Sequence, residues 1–144
     1  MRVGSVKADE RGVVIFDTKR ISDKPDDIAP DGSEVRVLCR VARGSMAHFT
    51  LPPRAVSKAT AHRSIEEVWY FLSGQGRMWR RFQDHEECVP VERGISITIP
   101  AGTHFQFKSE SDEPLQAIGA TMPPWPGEEE CYSVDGPWQA TVTL

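Results

Sequence analysis

The chain has 144 residues, with 39% hydrophobic and 26% charged residues and a formal net charge of −4. That length suits one domain whose core forms without staples, and the acidic balance argues against nucleic acid or an anionic membrane surface as a partner. No run approaches the roughly 18 apolar residues of a membrane span.

Eleven prolines and eleven glycines punctuate short apolar runs, a pattern of many turns and many short strands. The first 34 residues hold one β-like run, Val13 to Phe16, and then an acidic loop bearing Pro25, Pro30 and Gly32. They read as an arm laid on a core. In "EVRVLCRV", Val35, Val37, Cys39 and Val41 alternate with Arg36, Leu38 and Arg40. The period of two predicts a half-buried strand with Cys39 on its inner face. "SMAHFTL" is a second strand, stopped by Pro52-Pro53.

"AHRSIEEVWYFLSGQG" follows. Its aromatic run predicts a strand, and alternation puts Glu67, Trp69 and Phe71 on one face and Glu66, Val68 and Tyr70 on the other. If the aromatic face is inward, Glu67 is buried with it, and a buried carboxylate needs a partner or a proton. "SGQG" predicts a hairpin to "GRMWRRF". "ECVPVERG" and "ISITIP", joined at Gly94, then "THFQFKS" and "LQAIGATM", complete eight to ten strands with no helix. The Pro- and Trp-rich end, 123–144, reads as an extended tail over the surface, with Trp125 and Trp138, like Trp79, in packing or interface roles. The expected organisation is one domain, 1–144, with a barrel core at about 35–122 between arm (1–34) and tail.

Two stretches carry a family resemblance. Glu67 is followed by six residues and Gly74; Gly94 is followed by five residues and then Pro100, Ala101 and Gly102, with His104 just beyond. "HRSIEEVWYFLSGQG" and "GISITIPAGTHFQF" thus resemble the two signature motifs of the cupin superfamily, about 20 residues apart. The chain is similar to small single-domain bacterial cupins, some of which carry labels comparing them to mannose-6-phosphate isomerase. The resemblance implies an all-β fold, a small double-stranded β-helix of jelly-roll type. It also implies a divalent metal (Mn, Fe, Ni or Zn) held by His62, Glu67 and His104, with Glu67 as the proton-moving group. His48, Trp69 and Gln106 would line the substrate pocket.

The sequence departs from the family pattern at two places. Ser64 stands where the first motif has its second histidine, and Phe105 where the second motif has its own. Two registers are open for "PAGTHFQF". Either Phe105 and Phe107 fill the barrel and His104 points out, or a tighter turn after Gly102 brings His104 and Gln106 inward. The second is expected, since an inward His104 would meet Glu67 or a metal. Function divides accordingly between a metal-dependent isomerase- or oxygenase-like enzyme acting on a small polar metabolite and a metal-free small-molecule-binding cupin. Three cysteines without metal-type spacing and no apolar leader after Met1 predict free thiols in the cytoplasm. Exposed strand edges and an arm without a core of its own predict a homodimer.

Overall fold

The computed structural model describes residues 16–142, and the expected strand at Val13–Phe16 lies outside them except for Phe16, which is exposed coil. Eleven strands form two antiparallel sheets. They are β1 (Asp27–Ile28), β2 (Glu34–Val41), β3 (Gly44–Leu51), β4 (Thr60–His62), β5 (Glu66–Ser73), β6 (Gln75–Phe82), β7 (His85–Glu92), β8 (Ser96–Ile99), β9 (His104–Ser109), β10 (Leu115–Met122) and β11 (Cys131–Ser133). A single 3₁₀ turn, Glu128–Glu130, precedes β11. The first sheet runs β1-β2-β3-β10-β5-β8 and the second β11-β4-β9-β6-β7. The fold is all-β, two sheets facing each other as a double-stranded β-helix. Among the described residues no helix is long and apolar enough to cross a membrane.

The chain changes sheet more often than its turns suggest. "SGQG" does not close a hairpin: β5 pairs with β10 and β8, while β6 pairs with β9 and β7. Gly74 turns the corner at φ +79°, and a Cβ on Gly76 would lie 1.9 Å from the Lys108 carbonyl oxygen. Glycine is needed there because backbone meets backbone at the crossing, a signal that reads in sequence like a two-strand turn. Gly94 likewise joins β7 of one sheet to β8 of the other. The true hairpin is β6–β7, turned at Gln83 and Asp84. Pro90, in β7, sits on an edge strand, where its missing N–H costs no ladder bond.

Alternation holds closely where both faces differ in solvent. Glu67, Trp69 and Phe71 are buried and Glu66, Val68 and Tyr70 exposed. In β2 it breaks. Three steps from Val37 to Arg40 oppose two steps from Ala47 to Ser45, a bulge that reverses the facing of everything after it. Cys39 is therefore not on the inner face; it is half-buried, its thiol 3.7 Å from the Asp17 carbonyl oxygen.

The core lies between the sheets around Trp69. Phe49 stacks on it with ring centroids 4.9 Å apart, and Phe71, Phe105 and Phe107 meet it at 6.1, 6.1 and 5.2 Å. Gly119 makes the stack possible: a Cβ there would come within 2.8 Å of the Phe49 ring and 2.9 Å of Trp69. Gly119→Ala should therefore lower stability by about 1–3 kcal/mol, the usual cost of overpacking, read as a fall in the urea midpoint at unchanged slope. An unchanged midpoint would mean that the two rings separate freely and that the stack is not a constraint.

Candidate functional site

One end of the barrel interior is filled by the aromatic cluster; the other is open as a cavity of about 410 Å³. Its walls are Phe49, Trp69, Phe105 and Trp125, and its polar groups include Asp31, Ser45, His62, Glu67, Thr121 and Cys131. β5 delivers Glu67 beside Trp69 on the inward face, β4 ends by delivering His62, and β11 delivers Cys131 directly opposite His62 in register. Directly opposed residues of antiparallel strands share a face, so thiol and imidazole both look inward.

Glu67 is 3% exposed and His62 4%. The Trp69 indole N–H donates to Glu67 Oε2 at 3.2 Å. His62 Nδ1 lies 3.7 Å from the same oxygen, too far for a hydrogen bond, and has no partner among the described residues. The imidazole is held edge-on by Phe105 and Trp125, at centroid distances of 5.3 and 5.2 Å. Burial pushes the Glu67 carboxyl up to about 8; the Trp69 hydrogen bond opposes this and nearby Asp31 adds to it. Burial pushes His62 down to about 4, against a weaker pull from Glu130. Asp31 is raised by burial too, although the Ser33 hydroxyl and amide donate to its Oδ1 at 2.6 and 2.8 Å. Burial, with Asp31, Glu67 and Glu130 around it, keeps the Cys131 thiol protonated.

The loop that carries His62 is tied from the far end of the chain. Glu130 Oε1 accepts the backbone N–H groups of Ser64 and of Ile65, the latter at 2.7 Å, and the Ser64 hydroxyl donates to both carboxylate oxygens at 3.0 and 2.9 Å. Burial alone would raise the Glu130 pKa, but these donors and His62 hold it below the ordinary value. Across the cavity the Ser45 and Thr121 hydroxyls bond to each other, and Ser45 Oγ accepts the Trp125 N–H at 3.1 Å.

Of the residues expected from sequence, His62, Glu67 and Trp69 face the cavity together. His104, His48 and Gln106 do not, which corrects the register chosen for "PAGTHFQF". Phe105 and Phe107 point into the barrel, 1% and 2% exposed, because inward places beside Trp69 reward aromatic area. His104 is left on the outer face, half-buried, its ring against Tyr132 at 6.4 Å. Gln106 is buried outside the barrel, where the tail covers it: its amide nitrogen donates to the Ser57 and Trp138 carbonyls and its oxygen accepts the Trp138 N–H. His48 faces outward from β3, across from Arg36. Asp31, Cys131 and Trp125 were not foreseen as site residues. The Asp31-Gly32-Ser33 turn is a readable signal of an aspartate bonding its own loop, but nothing local announces that the loop closes a cavity. Cys131 meets His62 only through a strand pairing 69 positions distant, and Trp125 was assigned to packing.

The model of the cupin domain matches residues 47–120. This chain belongs to the cupin family. An uncharacterized protein of Methanocaldococcus jannaschii is 28% identical over 107 residues, spanning 71% of this chain and 82% of that one. Among solved structures, a Bacillus halodurans protein superposes with a TM-score of 0.60 at 18% identity, covering 69% of this chain and 76% of that one. Oxalate decarboxylase of Bacillus subtilis, described with Mn(II) centres, superposes at 0.63 and 19% identity over 78% of this chain but 30% of its own. These structural likenesses are to the fold. The donor set of this cupin does not fit a centre of three histidines and a glutamate. The Ser64 hydroxyl is bound to Glu130, Phe105 takes the second-motif place, and His104 is outside. Among the described residues no three His, Cys, Asp or Glu side chains are grouped to hold a metal ion.

The buried pair gives this cupin a distinctive pH response. Between about 4.5 and 8 the folded protein keeps a proton on Glu67 that the unfolded chain has released, so stability falls as pH rises through that window. His62 acts oppositely between about 4 and 6.5, where the folded protein binds fewer protons and stability rises with pH. The two oppose each other up to pH 6.5, while Asp31, also raised by burial, acts in the same sense as Glu67. Urea unfolding should show stability declining by about 2 kcal/mol from pH 6.5 to 8, and Glu67→Gln should remove most of that decline. The same slope in wild type and variant would show that Glu67 is not the group responsible.

Proposed function

We propose that this cupin is a small-molecule-binding protein whose pocket works without a resident metal. The observation that carries this reading is Phe105: an aromatic ring stands inside the barrel where the family motif would supply a histidine ligand. His62 and Glu67 are left facing a cavity of about 410 Å³, within the range of small-molecule sites, with mainly apolar walls and a few convergent polar groups. The metal-dependent enzyme implied by the motifs would have to work with two of its expected ligands, His62 and Glu67, and neither Ser64 nor His104 is placed to complete the set. Protein purified without a histidine tag or chelator, from cells supplied with manganese, iron, nickel and zinc, should contain well under one equivalent of any of them. A stoichiometric metal that is lost in His62→Ala would overturn the reading in favour of the metal enzyme.

We further propose a cytoplasmic homodimer. The free thiols of Cys39, Cys88 and Cys131 support the compartment. The outer face of the first sheet supports the assembly. Met46, Val68 and Tyr70 are each more than 40% exposed there, and Ile118 and Ala120 lie between them in register. An exposed apolar stripe of this kind can pair with its own copy about a two-fold axis. Light scattering should give a dimer's mass, and Tyr70→Glu should return the 16.1 kDa monomer; a wild-type monomer at micromolar concentration would refute it.

A further inference from the structure

Among the described residues the lining of the cavity is acidic, with Asp26, Asp27, Asp31 and Glu67 and no lysine or arginine. Asp26 and Asp27 are engaged at the rim, accepting the Val37 and Ile28 amides at 2.7 and 2.8 Å. Asp31 and Glu67 lie deeper, 5% and 3% exposed, with no lysine or arginine salt bridge among the described residues. Two arginines face inward nearby, both outside the described lining. Arg40 lies opposite Ser45 in register, with Nε and Nη2 buried and without a hydrogen-bond partner among the described residues. Arg80 lies opposite Phe105, with Nη1 donating to the Thr98 carbonyl and Nη2 to Glu87, each at 2.8 Å. A second observation is independent of charge. His62 Nδ1 is buried and unpartnered, aimed at the cavity beside Glu67 Oε2. The 3.7 Å between the two atoms is too long for one to bond the other, but one nitrogen can stand within about 2.9 Å of both. The third observation is the wall. Phe49, Trp69, Phe105 and Trp125 present aromatic carbon around this point, a surface that attracts a cation and accommodates an apolar body.

We propose that the cavity takes a small organic cation, a primary or secondary ammonium on an apolar body. Its nitrogen donates to both His62 Nδ1 and Glu67 Oε2, and its body lies against the aromatic walls. This rests on the binding-pocket reading above and names its ligand class. Bound ammonium supplies a donor for the orphaned imidazole nitrogen and a positive charge beside Glu67, whose carboxyl gives up its proton to solvent as the pair forms. A carboxylate ligand would meet Asp31 and Glu67, with no lysine or arginine among the described lining residues to receive it. A neutral alcohol could fill the same shape but brings one donor and no charge.

The test uses three probes of nearly one shape, 2-phenylethylammonium, 2-phenylethanol and 3-phenylpropionate, titrated into chelator-treated full-length protein. Trp69 and Trp125 line the cavity, so their fluorescence reports occupancy. The ammonium should bind at least about tenfold more tightly than the alcohol, and the carboxylate should be the weakest. In Glu67→Gln the preference for the ammonium over the alcohol should fall below about twofold. Asp31→Asn is the second variant, with the same direction expected, should Glu67→Gln not fold. Equal binding of ammonium and alcohol, or tightest binding of the carboxylate, would overturn the cation inference and leave the pocket reading standing. No binding of the ammonium up to millimolar concentration would overturn it too. Binding of any probe only after a divalent metal is restored would sink the pocket reading itself.

Discussion

The Trp69 indole is the part on which the rest of this barrel depends. Its ring is the meeting point of Phe49 and Phe71 from the first sheet and Phe105 and Phe107 from the second. One side chain thus fixes how far apart the sheets stand and where the packed interior stops. Its N–H is the one polar handle in that cluster, and it is spent on Glu67. A buried indole N–H needs an acceptor, and a buried carboxyl needs a donor. The same residue therefore satisfies both requirements and sets the floor of the cavity. The floor is rigid because the ring is wedged, which is what a site built on strands requires.

With that wedge in place, both cupin motifs keep their backbone but change the use of their side chains. The glycines and Pro100 still turn the corners between sheets, as the shared fold demands. The position of the second histidine has become Ser64, which no longer looks at the interior but helps Glu130 hold the loop under His62. The position of the second-motif histidine has become Phe105, which extends the Trp69 cluster and braces His62. Both changes remove a ligand and strengthen the scaffold around the histidine that remains. The outcome is a neutral imidazole and a carboxyl with a raised pKa side by side at the wall of the cavity.

Much of this was legible from residues alone, for identifiable reasons. The Glu67-Trp69-Phe71 alternation was readable because β5 has a dry face and a wet face, so the period of two is enforced at every step. The cupin spacings were readable because corners between sheets require glycine and proline at fixed intervals. The register of β9 was not, since both of its faces are covered: the barrel interior receives Phe105 and Phe107, and the tail seals Gln106 on the other side. A strand dry on both faces carries no alternation to decide between them. Nor was the sheet crossing at Gly74–Gly76, where a glycine turn looks the same whether the chain doubles back or passes to the opposite layer. The remaining site residues, Asp31 and Cys131, enter from loops and edges whose partners are remote in sequence, and short-range patterns hold no record of such pairings.

The bond between Glu130 and the loop at Ser64 and Ile65 sets an order of events during synthesis. His62 is made early, but the strand that lies opposite it and the carboxylate that holds its loop are nearly seventy residues later. Until Cys131 has left the ribosome, β4 is an uncovered edge and the two loop amides have no acceptor. The nascent barrel can close its aromatic half first, since Phe49, Trp69, Phe71, Phe105 and Phe107 are all available by then, and the mouth of the pocket takes shape after it. Distant pairings of this sort carry the loop-closure entropy that slows folding. The wall of the cavity around His62 is therefore shaped only once Glu130 and Cys131 have joined the barrel.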